Sequence, residues 1–92
     1  MRVVYRYDLQ AIPDQDVELT AGAQLLAVMR QIRAPHSMSL WALIDTDYPI
    51  VNRRILWRGT GTADDIPEDA VHINTTQETD GFVWHFFDGG ES

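Results

Sequence analysis

Apolar side chains recur at every second position along most of this chain, and turn formers cut the runs at intervals of about 8–12 residues. That period suits extended backbone, whose side chains alternate between faces. Val3 to Leu9 puts Val3, Tyr5, Tyr7 and Leu9 on one face and Val4, Arg6 and Asp8 on the other. Asp16 to Thr20 sets Val17 and Leu19 against Asp16, Glu18 and Thr20, and Ala21-Gly22 offers a tight turn into a hairpin. Ser39 to Asp45 is a short apolar run closed by the loop Asp47-Tyr48-Pro49. Asn52 to Gly59 alternates Arg53, Ile55 and Trp57 with Arg54, Leu56 and Arg58. Ala70 to Thr76 and Phe82 to Asp88 form a hairpin through Asp80-Gly81.

The run Ala23 to Ile32 is the one place where helix competes, because Ala, Leu, Met and Arg are good helix formers. As a strand it carries Leu25, Ala27 and Met29 on one face and Leu26, Val28 and Ile32 on the other, which fits a central position covered on both sides. Pro35 and Ser37 end it. The expected fold is all-β: a small antiparallel sandwich or partly open barrel of about seven strands, sequential strands being neighbours. The alternative is α+β with a helix near 23–33. One helical turn is expected near Pro67.

Ninety-two residues, 45% of them hydrophobic, provide one core and no more. The domain is expected to span 1–88, with 89–92 a flexible polar tail. The chain has no cysteine, which excludes disulfide staples, thiolate zinc sites and cysteine nucleophiles. No apolar stretch approaches the roughly 20 residues of a membrane-spanning helix, and Met1 to Asp8 meets charge before any signal-peptide core, so a cytoplasmic location is expected. The net charge of −7 disfavours duplex DNA as a partner. All the basic residues are arginines.

Catalytic and metal-binding patterns are poorly represented. His36, His72 and His85 lack metal-ligand spacing, although His72 and His85 fall on one face if Ile73 faces the same way as Trp84 and Phe86. Adding Asp88 to them would make a metal-assisted hydrolase, with an incomplete ligand set. Ser37 and Ser39 sit in no nucleophile elbow, and Asp45, Asp47, Asp64 and Asp65 in no calcium loop. Gly59-Thr60-Gly61-Thr62 lacks the lysine and helix of a phosphate loop and reads as a turn. No catalytic residue, metal or cofactor is therefore expected.

Two features point to binding. Arg54 and Arg58 share a sheet face and either meet an anion there or pair with the chain's own acidic loops. Trp41, Trp57, Phe82, Trp84 and Phe86 are expected in the core, whereas Phe87 lies opposite with Val83 and His85. An apolar outer face must be covered, by the 59–69 loop or by a partner chain. Arg54, Arg58, His85 and Phe87 are thus the candidate binding residues. The expected activity is non-enzymatic protein–protein contact, self-association included, and the alternative is an anion- or single-stranded nucleic-acid-binding module.

Tyr5-Arg6-Tyr7, the Glu18–Val28 segment, Leu40-Trp41-Ala42-Leu43-Ile44-Asp45, Gly59-Thr60-Gly61 and Phe82-Val83-Trp84-His85-Phe86-Phe87 together resemble a family of short uncharacterised proteins. That family is encoded by tailed bacteriophages and by phage-derived segments of bacterial genomes. The resemblance implies a small phage-associated cytoplasmic protein and carries no catalytic residues to transfer. Members often have a larger polar or aromatic residue where this chain has Thr62.

Overall fold

The computed structural model describes residues 1–32 and 38–92, so the expectations placed on Pro35, His36 and Ser37 lie outside the described residues. The fold is all-β, with seven strands among the described residues: β1 (Arg2–Leu9), β2 (Asp14–Thr20), β3 (Gln24–Arg30), β4 (Met38–Asp45), β5 (Ile50–Gly59), β6 (Val71–Gln77) and β7 (Val83–Glu91). They form two antiparallel sheets, one ordered β1-β4-β3 and the other β2-β5-β7-β6. The sheets stack as a sandwich and do not close into a barrel. The shortest molecular dimension, 17 Å, fits two sheets packed about 10 Å apart with their outer side chains.

The alternation of apolar residues builds the core as expected from β2, β4, β5 and β7. Val17, Leu19, Leu40, Ala42, Ile44, Ile55 and Phe86 are buried between the sheets, with Val28 from β3. Trp57 and Trp84 pack against this core from one end. Trp41 and Phe82 depart from the expectation. Trp41 pairs in register with Arg6 and Ala27, on the face of β4 opposite Leu40 and Ala42, and Phe82 precedes β7 and is 62% exposed.

Strand order also departs from sequence order. Only β3–β4 and β6–β7 are neighbours both in sequence and in a sheet. Ala21-Gly22 does make a tight turn, with Gly22 at φ +75 and Ala23 N–H donating to the Thr20 carbonyl at 3.3 Å. It carries the chain from one sheet to the other, so the β2–β3 hairpin does not form. Each strand can bury its apolar side only against the opposite sheet, and such crossings let both sheets grow from a short chain.

Residues 24–30 are strand, not helix, and β3 is an edge rather than a central strand. A bulge between Leu25 and Ala27 explains why its two faces looked equally apolar. The extra residue reverses the alternation, so Leu25 and Val28 both reach the core while Leu26 and Met29 face outward. The expected helical turn near Pro67 is a reverse turn, closed by Ala70 N–H to the Pro67 carbonyl at 3.1 Å.

Residues 89–92 are not a tail beyond the sheet. β7 runs to Glu91, and Ser92 N–H donates to the Asn52 carbonyl at 2.9 Å. Polar composition misleads here because Gly89 is the extra residue of a bulge opposite Arg54 and Ile55, where a Cβ would come within 2.8 Å of the Arg54 side chain. Gly90 follows at φ +94, a conformation that favours glycine.

Candidate functional site

The outer face of the β2-β5-β7-β6 sheet carries three of the four candidate residues close together. Register sets Leu56 beside Phe87 and Arg58 beside His85. After β5 the chain turns at Gly59–Thr62, where Thr62 N–H donates to the Gly59 carbonyl at 3.3 Å and Gly61 takes φ +76. Both glycines are turn residues. The 59–69 segment then folds back over the sheet, which buries Leu56 and Arg58.

Arg58 holds that segment down. Its Nη2 and Nε donate to the Asp65 carbonyl at 2.6 and 3.1 Å, and its Nη1 donates to the Pro13 carbonyl and to Asp14 Oδ1, each at 2.8 Å. Only 5% of the residue is exposed. Arg54 stands apart toward the other end of β5, where its Nε lies 3.8 Å from Asp16. The two arginines therefore do not form one cationic face, because the guanidinium of Arg58 is turned onto the chain's own carbonyls and acid.

His85 and His72 are neighbours on this face, as the strand parity required. Thr75 joins them: its Oγ1 is 3.0 Å from His85 Nδ1 and 2.9 Å from His72 Nε2. His85 Nε2 continues the chain to Thr60 Oγ1 at 2.8 Å. A hydroxyl has one proton, so Thr75 couples the tautomers of the two imidazoles. The His72 ring also lies 5.3 Å from that of Phe87.

Asp88 takes no part in this arrangement, because it faces the core with Ile55. Arg53 binds it through Nε and Nη2, each at 2.9 Å, and also reaches Glu91 and the Ala23 carbonyl. Burial, the largest influence on Asp88, opposes its ionisation. The hydrogen bonds from Arg53 and the Gly90 amide, with the charge of Arg53, outweigh it and leave the carboxyl below its ordinary value. Among the described residues no group of three His, Cys, Asp or Glu is placed to hold a metal ion.

The feature that sequence reasoning missed lies at the same end of the sandwich. Phe82 stacks on Trp84 with centroids 5.8 Å apart and planes 11° from parallel, and Trp84 meets Trp57 edge-on at 5.7 Å. Gly59, opposite Trp84 in register, leaves room for the indole, since a Cβ there would sit 3.2 Å from Trp84 Cζ3. On the far side the indole hydrogen-bonds Glu78, which Arg30 also grips; the Arg30 hydrogen bond is the main cause that lowers the Glu78 carboxyl below its ordinary value. The only signal in the sequence was Phe82 and Trp84 two apart at a strand start, facing a glycine.

Three recesses open around the Gly59–Thr62 turn. One of about 390 Å³ is lined by Thr60, Phe82, Val83 and Trp84. Another of about 180 Å³ lies between Ile12, Pro13, Trp57 and Trp84. The third, about 240 Å³, holds Arg58, Ile66, His85 and Phe87. Exposed aromatic rings beside hydroxyls and a single acid, Asp64, suit the apolar anchors and backbone groups of another chain.

A two-sheet antiparallel sandwich with an aromatic end is thus the class of protein that fold and site define. The chain belongs to the family described as a domain of unknown function (DUF7352), whose model matches residues 1–92. No curated protein and no solved structure matches it. Among the described residues no helix is long and apolar enough to cross a membrane.

Proposed function

We propose that this protein is a non-enzymatic accessory protein that works through protein–protein contact, self-association included. The observation that carries the reading is the Phe82–Trp84 stack, an aromatic anchor left at the surface between recesses that share one turn. Large, rigid aromatic side chains dominate binding energy at protein interfaces, and neighbouring clefts accept the partner's own anchors. The phage or prophage context, and with it a cytoplasmic location, rests on the resemblance noted in the sequence.

The test is affinity capture from a host lysate with the wild-type chain and Phe82→Ser side by side, each retained protein being identified by mass spectrometry. A protein held by the wild type and lost with Phe82→Ser supports the proposal. Equal retention by both overturns it.

Single-stranded nucleic acid is the weaker reading, because each guanidinium nitrogen of Arg58 already donates within the chain and Arg54 lies beside Asp16. A fluorescence titration with single-stranded oligonucleotides at low salt is expected to stay flat; a salt-dependent response would restore it.

A further inference from the structure

A sandwich of two open sheets has four edges, and they are managed differently here. The β3 and β6 edges face each other and are tied by Asn74, whose side chain accepts from the Val28 N–H and donates to the Val28 carbonyl, each at 2.7 Å. Arg30 and Glu78 tie them again farther along. The other two edges, β1 and β2, end their sheets.

Backbone parity identifies what each of these edges offers. Thr46 N–H donates to the Met1 carbonyl, continuing the β1–β4 register in which paired residue numbers sum to 47. Odd-numbered residues of β1 therefore bond to β4, and the backbone groups of Arg2, Val4, Arg6 and Asp8 point to the free edge. On β2, Trp57 N–H to the Pro13 carbonyl and Ala21 N–H to the Pro49 carbonyl fix the same parity against β5. The free edge of β2 belongs to Asp14, Asp16, Glu18 and Thr20. A second β2 would meet that edge with acid against acid, which guards it.

The β1 edge is self-complementary. Two copies paired antiparallel about a two-fold axis at Tyr5 set Arg2 opposite Asp8 of the second copy, twice, and Val4 opposite Arg6. Shifting the register by two residues either way puts Arg2 against Arg6 with Val4 against Val4, or Arg6 against Arg6. Only the first arrangement pairs opposite charges and no like ones. Asp8 Oδ1 accepts from Ser39 Oγ at 2.9 Å and Gln31 Nε2 at 3.3 Å and lies 3.5 Å from Arg6 Nε. These contacts engage one oxygen of a side chain that is 63% exposed and leave its Oδ2 to the second copy's Arg2. Val4 and Tyr5 are each about half exposed. Arg2 would then lie between its own neighbour Asp45 and the second copy's acid.

We infer that the chain forms a symmetric homodimer through β1, which joins two three-stranded sheets into one sheet of six strands. This rests on the reading of the protein as a contact module and names a second copy of the chain as one partner. Pairing β1 with β2 of another copy would also oppose basic and acidic groups. That contact joins two different edges, however, so it lacks the self-complementarity of a two-fold pair, and Asp14 is already held by Arg58. An edge of eight residues buries little area, so the dissociation constant is expected to be on the order of micromolar.

Sedimentation equilibrium across a concentration series tests the inference with designed charge reversals. Arg2→Asp opposes acid to acid and Asp8→Arg opposes arginine to arginine, so each alone is expected to raise the dissociation constant at least tenfold. An equal mixture of the two variants restores both attractive pairs and is expected to regain dimer as a heterodimer. Val4→Pro removes an N–H that points away from β4, and is expected to give a folded monomer, with folding checked by circular dichroism. A wild type that stays monomeric at about 100 μM, far above a micromolar constant, overturns the dimer. Growth to large assemblies overturns the closed form, and an inert mixture of the reversals overturns the register. Capture of a partner that depends on Phe82 is read separately with Val4→Pro, so loss of the dimer leaves the broader contact reading independently judged.

Discussion

The side chain of Asn74 occupies the place of a strand partner for Val28, bonding both its N–H and its carbonyl at 2.7 Å across the gap between the two sheets. One residue of β6 thereby closes the side of the sandwich where the β3 and β6 edges meet. Val28 is itself fully buried, so its backbone groups have little access to water and depend on this amide.

Asn74→Ala is expected to cost about 1–3 kcal/mol, the range for leaving buried backbone groups without partners. The Val28 amide should also exchange its hydrogen much faster than in the wild type. Chemical denaturation followed by hydrogen exchange at Val28 checks both. Unchanged protection would show that the amide is not what closes the seam.

Acid should weaken the fold through Asp88. Its carboxyl lies below its ordinary value of 3.8 in the folded chain. The unfolded chain therefore takes up the proton first, and the stabilisation is present above that value and lost as pH falls through the folded one. Glu78 is lowered too and contributes with the same sign. Urea midpoints measured from about pH 6 down to pH 2 should fall on the acid side. Arg53→Ala should cost about 2–4 kcal/mol at neutral pH by stranding Asp88, and should flatten the acid limb.

Arg58→Met keeps much of the apolar stem but takes the guanidinium donors from the Asp65 carbonyl and from Asp14, while the Pro13 carbonyl keeps the Trp57 N–H. A loss of about 2–3 kcal/mol is expected, with faster proteolysis within 60–69. Limited proteolysis with mass mapping shows whether the segment is released. Unaltered cleavage would mean that Arg58 does not hold it.

Thr20 is buried, and its Oγ1 has no hydrogen-bond partner among the described residues. Thr20→Val keeps the shape and removes the unsatisfied hydroxyl, so stability should rise by about 1 kcal/mol. Thermal unfolding measures it; a drop in melting temperature would show that the hydroxyl is satisfied in solution.

The parity of the strands was legible in the sequence because side-chain alternation follows from extended backbone alone. It put Phe86 in the core, Ile55 on the face of Trp57, and His72 and His85 on one face once Ile73 turned inward, before any contact was known. It went astray at Leu26, where a bulge adds one residue and the count no longer holds, while at Gly89 polar composition suggested a tail where the strand continues through a bulge. Composition misjudged Trp41 and Phe82, since burial depends on which face of which sheet an aromatic ring occupies. The sequence left the cover of the outer face around Phe87 open between the 59–69 loop and a partner chain; that Arg58 holds the 59–69 segment down was not legible.

By itself, then, the order of amino acids determined seven extended segments, their inward faces and a single core without thiols, because these depend on local periodicity and composition. Which strands lie side by side, which arginines are spent on the chain's own acids and carbonyls, and which edge stays open were decided only by the tertiary structure. Those outcomes depend on contacts between residues far apart in the chain, such as Arg53 with Asp88 and Val28 with Asn74. No local pattern encodes such pairings, since each is selected by the packing of two sheets against each other.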